Sequence, residues 1–320
     1  MQKTTSAAHA SGVPSGSETM PLPLPTWHVA LDDSRAGRIA FYGDEASAGD
    51  LPPLLLVHSV NAAATAYEMR PLFDHYRGRR AIYALDLPGF GLSDRSDRLY
   101  TPRLMTDAIH AVVREIQVRH GEAAIDMMAL SLGCEFAARA ATETPNAFRS
   151  LALISPTGFD RRSEQAAPTA GTTKTREMPW LRNILNVSLW RRGLFSGLTS
   201  RASIRFFLQK TFGSKTIDEG LLEYDYIATH QPGAEHAPYC FVSGYLFTAG
   251  ALNLYRQLSG PVWMAHGVRG DFVDYHAKHV VQGLPNWRID VFETGAMPHF
   301  ERLSDVVARY DAFLDQVATA

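Results

Sequence analysis

After residue 26 the chain alternates short apolar runs with longer stretches in which apolar side chains recur every third or fourth position. That rhythm predicts a mainly parallel sheet covered by helices. Leu54–Val57 is wholly apolar and follows Pro52-Pro53, so it reads as a strand buried on both faces. Ala81–Leu85, Ile125–Leu130, Leu151–Ile154 and Val262–Ala265 repeat the pattern, and Arg288–Phe292 gives a last strand of alternating character. Trp27–Leu31 and Arg38–Tyr42 read as an opening strand pair joined at Asp32-Asp33-Ser34. Helical spacing puts Ile109, Val112, Val113 and Ile116 on one face of 106–118, and Val306, Val307, Tyr310, Phe313 and Leu314 on one face of 302–317.

One stretch breaks the rhythm. Residues 161–259 hold no clear strand; a polar run, 163–175, leads into helical patterns rich in Trp, Leu and Phe. The expected layout is a disordered tail over 1–26, a sheet-and-helix core over 27–160 and 260–320, and a mostly helical cap over 161–259. The tail is assigned on composition: Ser, Thr, Ala, Gly and Pro bury too little apolar surface to offset ordering entropy.

Charge and cysteine content narrow the class. A formal net charge of -2 gives no global field that would draw nucleic acid. Two cysteines, Cys134 and Cys240, describe neither a disulfide framework nor a zinc site, so a reducing, cytoplasmic setting is expected. No run of about 18 apolar residues suits a transmembrane helix, and the N-terminus lacks the apolar core of a secretory signal. Within the cap, Lys174, Arg176, Arg182, Arg191, Arg192, Arg201, Arg205, Lys210 and Lys215 are accompanied by one acid, Glu177. This basic face reads as solvated. The alternative is contact with anionic lipid or an acidic substrate, because Trp180, Trp190, Phe195 and Phe206 intersperse the charges.

Candidate chemistry centres on Met127-Met128-Ala129-Leu130-Ser131-Leu132-Gly133, a strand, a serine and a helix start. A serine that attacks a carbonyl must project above the sheet on a sharp turn, which calls for small residues two before and two after it. Ala129 and Gly133 meet that need, with Ala in place of the usual Gly. The N–H of Leu132, opening the helix, would face a developing oxyanion. In isolation the motif also describes a strand-to-helix turn with a capping serine.

Three further segments give the chain a resemblance to the α/β-hydrolase superfamily, in its cap-bearing branch. Leu54–Asn61 resembles the strand and His-Gly loop that supplies a second oxyanion N–H, with Ser59 replacing the Gly. Tyr83–Asp94 closely resembles a D-x-P-G-x-G-x-S segment, and Gly295–Glu301 resembles the loop that presents a catalytic histidine. The resemblance implies Ser131 as nucleophile, His299 as base, and Val60 and Leu132 as oxyanion N–H donors. His58, Ser59 and Asn61 would line the substrate site, although Asn61 also reads as a turn-stabilising residue. Chain order puts the acid between serine and histidine. Asp271 leads, one residue beyond the usual spacing, with Asp274 and Asp160 as alternatives.

Asp126 reads as structural, Asp86 and Asp94 as holding the Pro-Gly loop, and Cys134 as packing. His110, His120 and His279 show no ligand spacing. No metal and no cofactor are implied. The expected reaction is cleavage of a small, partly apolar ester through an acyl-enzyme. Hydrolysis of a carbon–carbon bond in a meta-cleavage dienoate, thioester or amide cleavage, and a non-catalytic binding role are the alternatives.

Overall fold

The computed structural model describes residues 20–45, 51–167 and 171–319. In chain order the strands are β1 (Trp27–Asp33), β2 (Gly37–Asp44), β3 (Leu54–Val57), β4 (Ile82–Leu85), β5 (Ile125–Leu130), β6 (Phe148–Ile154), β7 (Val262–His266) and β8 (Trp287–Val291). They form one sheet in the order β1-β2-β4-β3-β5-β6-β7-β8. β2 runs antiparallel to β1 and β4, and all other neighbours are parallel. β3 and β4 are apolar at every position, and β5 at every position but Asp126, because both faces are covered. Leu55, Val57, Met127 and Ala129 enter one core, while Leu54, Leu56, Met128 and Leu130 enter the other.

Helices α1 (Arg70–Tyr76), α2 (Pro102–Arg119) and α3 (Gly133–Glu143) connect the first strands. α2 starts earlier than its apolar spacing predicts. Thr101 accepts the Leu104 N–H and Pro102 fills the first helical position, so capping extends the helix beyond its buried stripe. Between β6 and β7 the described residues form helices and one isolated bridge, Thr175 to Thr248: α4 (Arg161–Ala166), α5 (Pro179–Leu185), α6 (Arg191–Leu198), α7 (Arg201–Phe212), α8 (Glu219–Thr229), α9 (His236–Val242) and α10 (Ala251–Arg256). After β7 come α11 (His279–Gln282), α12 (Pro298–Glu301) and α13 (Leu303–Thr319). Among the described residues no helix is long and apolar enough to cross a membrane.

At the base of β5, Asp126 is fully buried and accepts from Arg80 at 2.5 Å, Arg149 at 2.9 and 2.5 Å, and Ser150 at 2.6 Å. A buried carboxylate so saturated is a structural anchor; removing one partner from such a cluster costs about 3–5 kcal/mol.

The expected disordered tail needs correction at its end. Residues 1–19 lie outside the described residues, but Met20 and Leu24 are buried. The Tyr224 hydroxyl donates to the Pro21 carbonyl at 2.8 Å, and Arg77 donates to the Pro25 carbonyl at 2.6 Å. Two apolar anchors suffice to order this segment against α8 and α1, which bulk composition does not reveal.

Candidate active site

The serine elbow is formed as its sequence requires. β5 ends at Leu130, α3 begins at Gly133, and Ser131 between them has φ +52°. A non-glycine residue in this left-handed region is strained and persists only where its surroundings hold it. The Ser131 N–H donates to the Ile154 carbonyl of β6 at 2.8 Å, which pins the turn to the sheet. Gly133 is needed for a reason the motif does not state: a Cβ there would clash with the His58 carbonyl of the neighbouring loop. Ala129 fits in place of glycine because its methyl group enters the core below the turn. Cys134 is buried, its thiol donates to the Ala129 carbonyl at 3.2 Å, and burial raises its pKa, all consistent with packing.

Among the described residues neither the Val60 nor the Leu132 N–H is given to a protein acceptor. Leu132 lies in the elbow at a helix N-terminus, and Val60 follows the His58 carbonyl that packs against Gly133.

Of the three residues expected to touch substrate, His58 and Ser59 are buried and Asn61 is half-buried, and all three are hydrogen-bonded within the protein. His58 is fully buried; its Nε2 accepts the Leu87 N–H at 2.8 Å, so Nδ1 carries the proton and donates to the Ser59 carbonyl at 2.5 Å. With both nitrogens used and its pKa lowered chiefly by burial, His58 bolts two loops together. Ser59 and Asn61 converge on Glu68. Ser59 donates its N–H to Oε2 at 2.8 Å and its hydroxyl to Oε1 at 2.9 Å, and Asn61 Nδ2 donates to Oε1 at 2.8 Å. The serine that replaces the expected glycine therefore has a purpose: its hydroxyl holds the loop to a carboxylate. Asn61 Oδ1 accepts the Ala63 N–H at 2.6 Å, which is the turn-stabilising role.

Glu68 itself was not singled out from the sequence. It lies in a short 3-10 turn, Ala66–Met69, and its signal is an acid standing alone in the neutral run 60–69. Burial lifts its carboxyl to about 7, against the pull of the Ser59 and Asn61 donors. Asp225 of α8 is also buried, and burial followed by the nearby Glu68 and Asp218 charges pushes its carboxyl well up. Tyr67 stacks on Tyr224 at 4.8 Å, so the helical insertion rests directly on the Glu68 turn.

His299 sits in α12 just after Pro298 and is fully buried. Its Nε2 lies 2.7 Å from the Glu68 carbonyl, which fixes the Nε2–H tautomer, while Nδ1 has no partner. Burial lowers its pKa to about 4, so the ring is neutral at pH 7. Among the described residues no hydrogen bond joins it to Ser131.

None of the three acid candidates meets His299. Asp271 is exposed, lies 3.0 Å from Lys210 Nζ, and gives its N–H to the Lys210 carbonyl at 3.2 Å. The C-terminal end of α7 stands between the two loops: Thr211 accepts the Ala296 N–H at 2.8 Å, and a Cβ on Gly213 would meet Arg269 and Gly270. Asp274 accepts the His276 N–H at 3.2 Å at the surface, and Asp160 caps α4 through Ser163. Asp86 holds the Pro-Gly loop as expected, accepting from Ala66 and Leu92 at 2.8 Å and from the Tyr42 hydroxyl at 2.5 Å. His110, His120 and His279 pair with Glu143, Tyr83 and Glu164 respectively.

A model of the alpha/beta hydrolase family matches residues 54–310. No curated protein sequence matches the chain. Among solved structures, the carboxylesterase CesB (YbfK) from Bacillus subtilis is 16% identical, covering 91% of this chain and 93% of its own at TM-score 0.63. A 2-hydroxy-6-oxo-6-phenylhexa-2,4-dienoate hydrolase from Rhodococcus is 15% identical over 91% and 99%, at TM-score 0.64. A Pseudomonas aeruginosa PAO1 protein, known as a probable hydrolytic enzyme, is 16% identical over 93% and 96%, at TM-score 0.66. At such identities the likeness is one of fold.

Proposed function

The chain belongs to the alpha/beta hydrolase family, and from that premise we propose that it hydrolyses a carboxylic ester through an acyl-enzyme on Ser131. The observation that carries this reading is the strained elbow: Ser131 at φ +52°, with the Leu132 N–H at the helix start and the Val60 N–H in the loop that packs on Gly133 given to no acceptor among the described residues. Such an arrangement aims a hydroxyl at a carbonyl carbon and two donors at the oxygen that becomes negative. His299, neutral at pH 7, is the base that takes the hydroxyl proton and returns it to the leaving alcohol. For this its ring turns from the Glu68 carbonyl toward Ser131 and its proton moves from Nε2 to Nδ1, so that Nε2 can accept; the Asp271 loop leaves Lys210 and the end of α7 for Asp271 to accept from Nδ1–H. Water then attacks the acyl-enzyme, with His299 again as base. The helical insertion acts as a cap over the site, and its apolar side chains favour an ester with an apolar portion.

A non-catalytic binding role is the rival reading, and its support is the Lys210–Asp271 pair, which leaves His299 Nδ1 without an acid. The two separate in one experiment. Wild type and Ser131→Ala are assayed on p-nitrophenyl esters of increasing acyl length, beside a meta-cleavage dienoate, and labelled with a fluorophosphonate. Ester turnover and labelling that both vanish in Ser131→Ala support the hydrolase. Equal rates in the two proteins, or no labelling of wild type, overturn it.

A further inference from the structure

We propose that the outer surface of helices α5 to α7 seats the protein on the headgroup region of an anionic lipid bilayer. From Met178 to Ile217 the sequence has no acidic residue. Within that stretch Trp180 is 63% exposed, Ile184 50%, Leu189 86%, Trp190 45%, Phe206 54% and Phe207 48%. Large apolar side chains open to solvent in consecutive helices mark a surface that meets something other than water.

These residues are not a failed core. α6 buries Phe195, and α7 buries Ile204, Leu208 and Phe212 at fourfold spacing, so each helix already has a packed inner face. The exposed set lies outside these inner faces, on α5, on α7 and on the segment between α5 and α6. Trp190 is fixed in place, its indole N–H donating to the Ile184 carbonyl at 2.9 Å. Aromatic residues with an apolar body and a polar tip suit the bilayer interface.

Charge selects the occupant. Part of the basic run is neutralised by acids from elsewhere in the fold: Arg191 by Asp97, Arg201 by Glu223, Arg205 by Glu219, Lys210 by Asp271. Lys174 and Lys215 form no ion pair among the described residues, and the Arg192 side chain, 83% exposed, reaches Glu235 only at 3.8 Å. The surface of α5 to α7 is therefore apolar, with residual positive charge at Arg192. A second copy docked through the same face would oppose like charges. An anionic headgroup layer meets both features at once.

The test needs no catalytic activity, so it stands or falls apart from the ester reading. The full chain is floated with phosphatidylcholine vesicles, with and without an anionic phospholipid. Wild type is expected on the anionic vesicles and to be released by high salt. Trp180→Ser/Leu189→Ser and Phe206→Ser/Phe207→Ser should each lose at least tenfold in partitioning, with unchanged circular dichroism because all four side chains are exposed. Arg192→Gln should weaken binding about fivefold on anionic vesicles only, the effect of one basic group near such a surface. No vesicle binding by wild type, or equal binding by wild type and both double variants, overturns the proposal. So does a concentration-dependent dimer that these substitutions abolish, which would assign the face to a second copy.

Discussion

The two halves of the candidate site differ in how they are held. On the serine side, the elbow, the Val60 loop and the Pro-Gly loop are locked through backbone N–H groups: Ser131 to the Ile154 carbonyl, Leu87 to His58 Nε2, Ala66 and Leu92 to the Asp86 carboxylate. On the histidine side, the groups are paired, but with partners that do no chemistry. His299 rests on the Glu68 carbonyl and Asp271 on Lys210. In the proposed reaction the serine side is already in place, while His299 and Asp271 must leave these partners before a proton can be relayed. The serine half depends on strands and their immediate turns, whereas the histidine half depends on segments that pack against the helical insertion.

The largest effect tests the serine half. Ser131→Ala should lower ester turnover by at least about 10⁴-fold, since the elbow and its donors are idle without the nucleophile; stopped assays with purified variant measure this. Next, Asp271→Asn should cost on the order of 10²–10⁴-fold in kcat, as losing the acid of a triad does. A loss under threefold would move that role away from Asp271. Lys210→Met probes the same pair from the other side: kcat/KM should rise, by no more than about fivefold, because an exposed ion pair is worth under about 1 kcal/mol.

Glu68 joins the halves, since its carboxylate holds Ser59 and Asn61 while its carbonyl holds His299. Glu68→Gln should lower kcat on the order of tenfold with KM little changed, less than the 10²–10³ of removing an oxyanion donor outright. A KM effect alone would show that Glu68 shapes binding and not the loop.

The smallest effect is on stability against pH. His299, at about 4 against an ordinary 6.5, takes up its proton less readily when folded. Its contribution is present above 6.5 and is lost as pH falls toward 4. Glu68, at about 7 against 4.5, holds its proton more tightly when folded, so its contribution is present below 4.5 and lost as pH rises through 7. Between 4.5 and 6.5 the two slopes oppose each other. Glu68→Gln removes one, and its melting temperature should fall more steeply on acidification from 6.5 to 4.5 than that of wild type. Parallel curves in a thermal melt series would contradict this pairing.

Much of this was readable from residue order. The buried strands, α3, the elbow and the Pro-Gly loop are set by neighbours within a few positions, so apolar runs and small residues announce them. Leu54–Val57 and Ile125–Leu130 appear at their expected bounds. What sequence did not disclose are contacts between segments far apart. Glu68 meets His299 across 231 positions, Lys210 captures Asp271, and α8 lies on the Tyr67 turn. His58, Ser59 and Asn61 were expected at the substrate because motif position says where a residue sits, not which way its polar atoms turn. That direction follows from buried polar groups seeking partners, and only the tertiary structure brings those partners into reach.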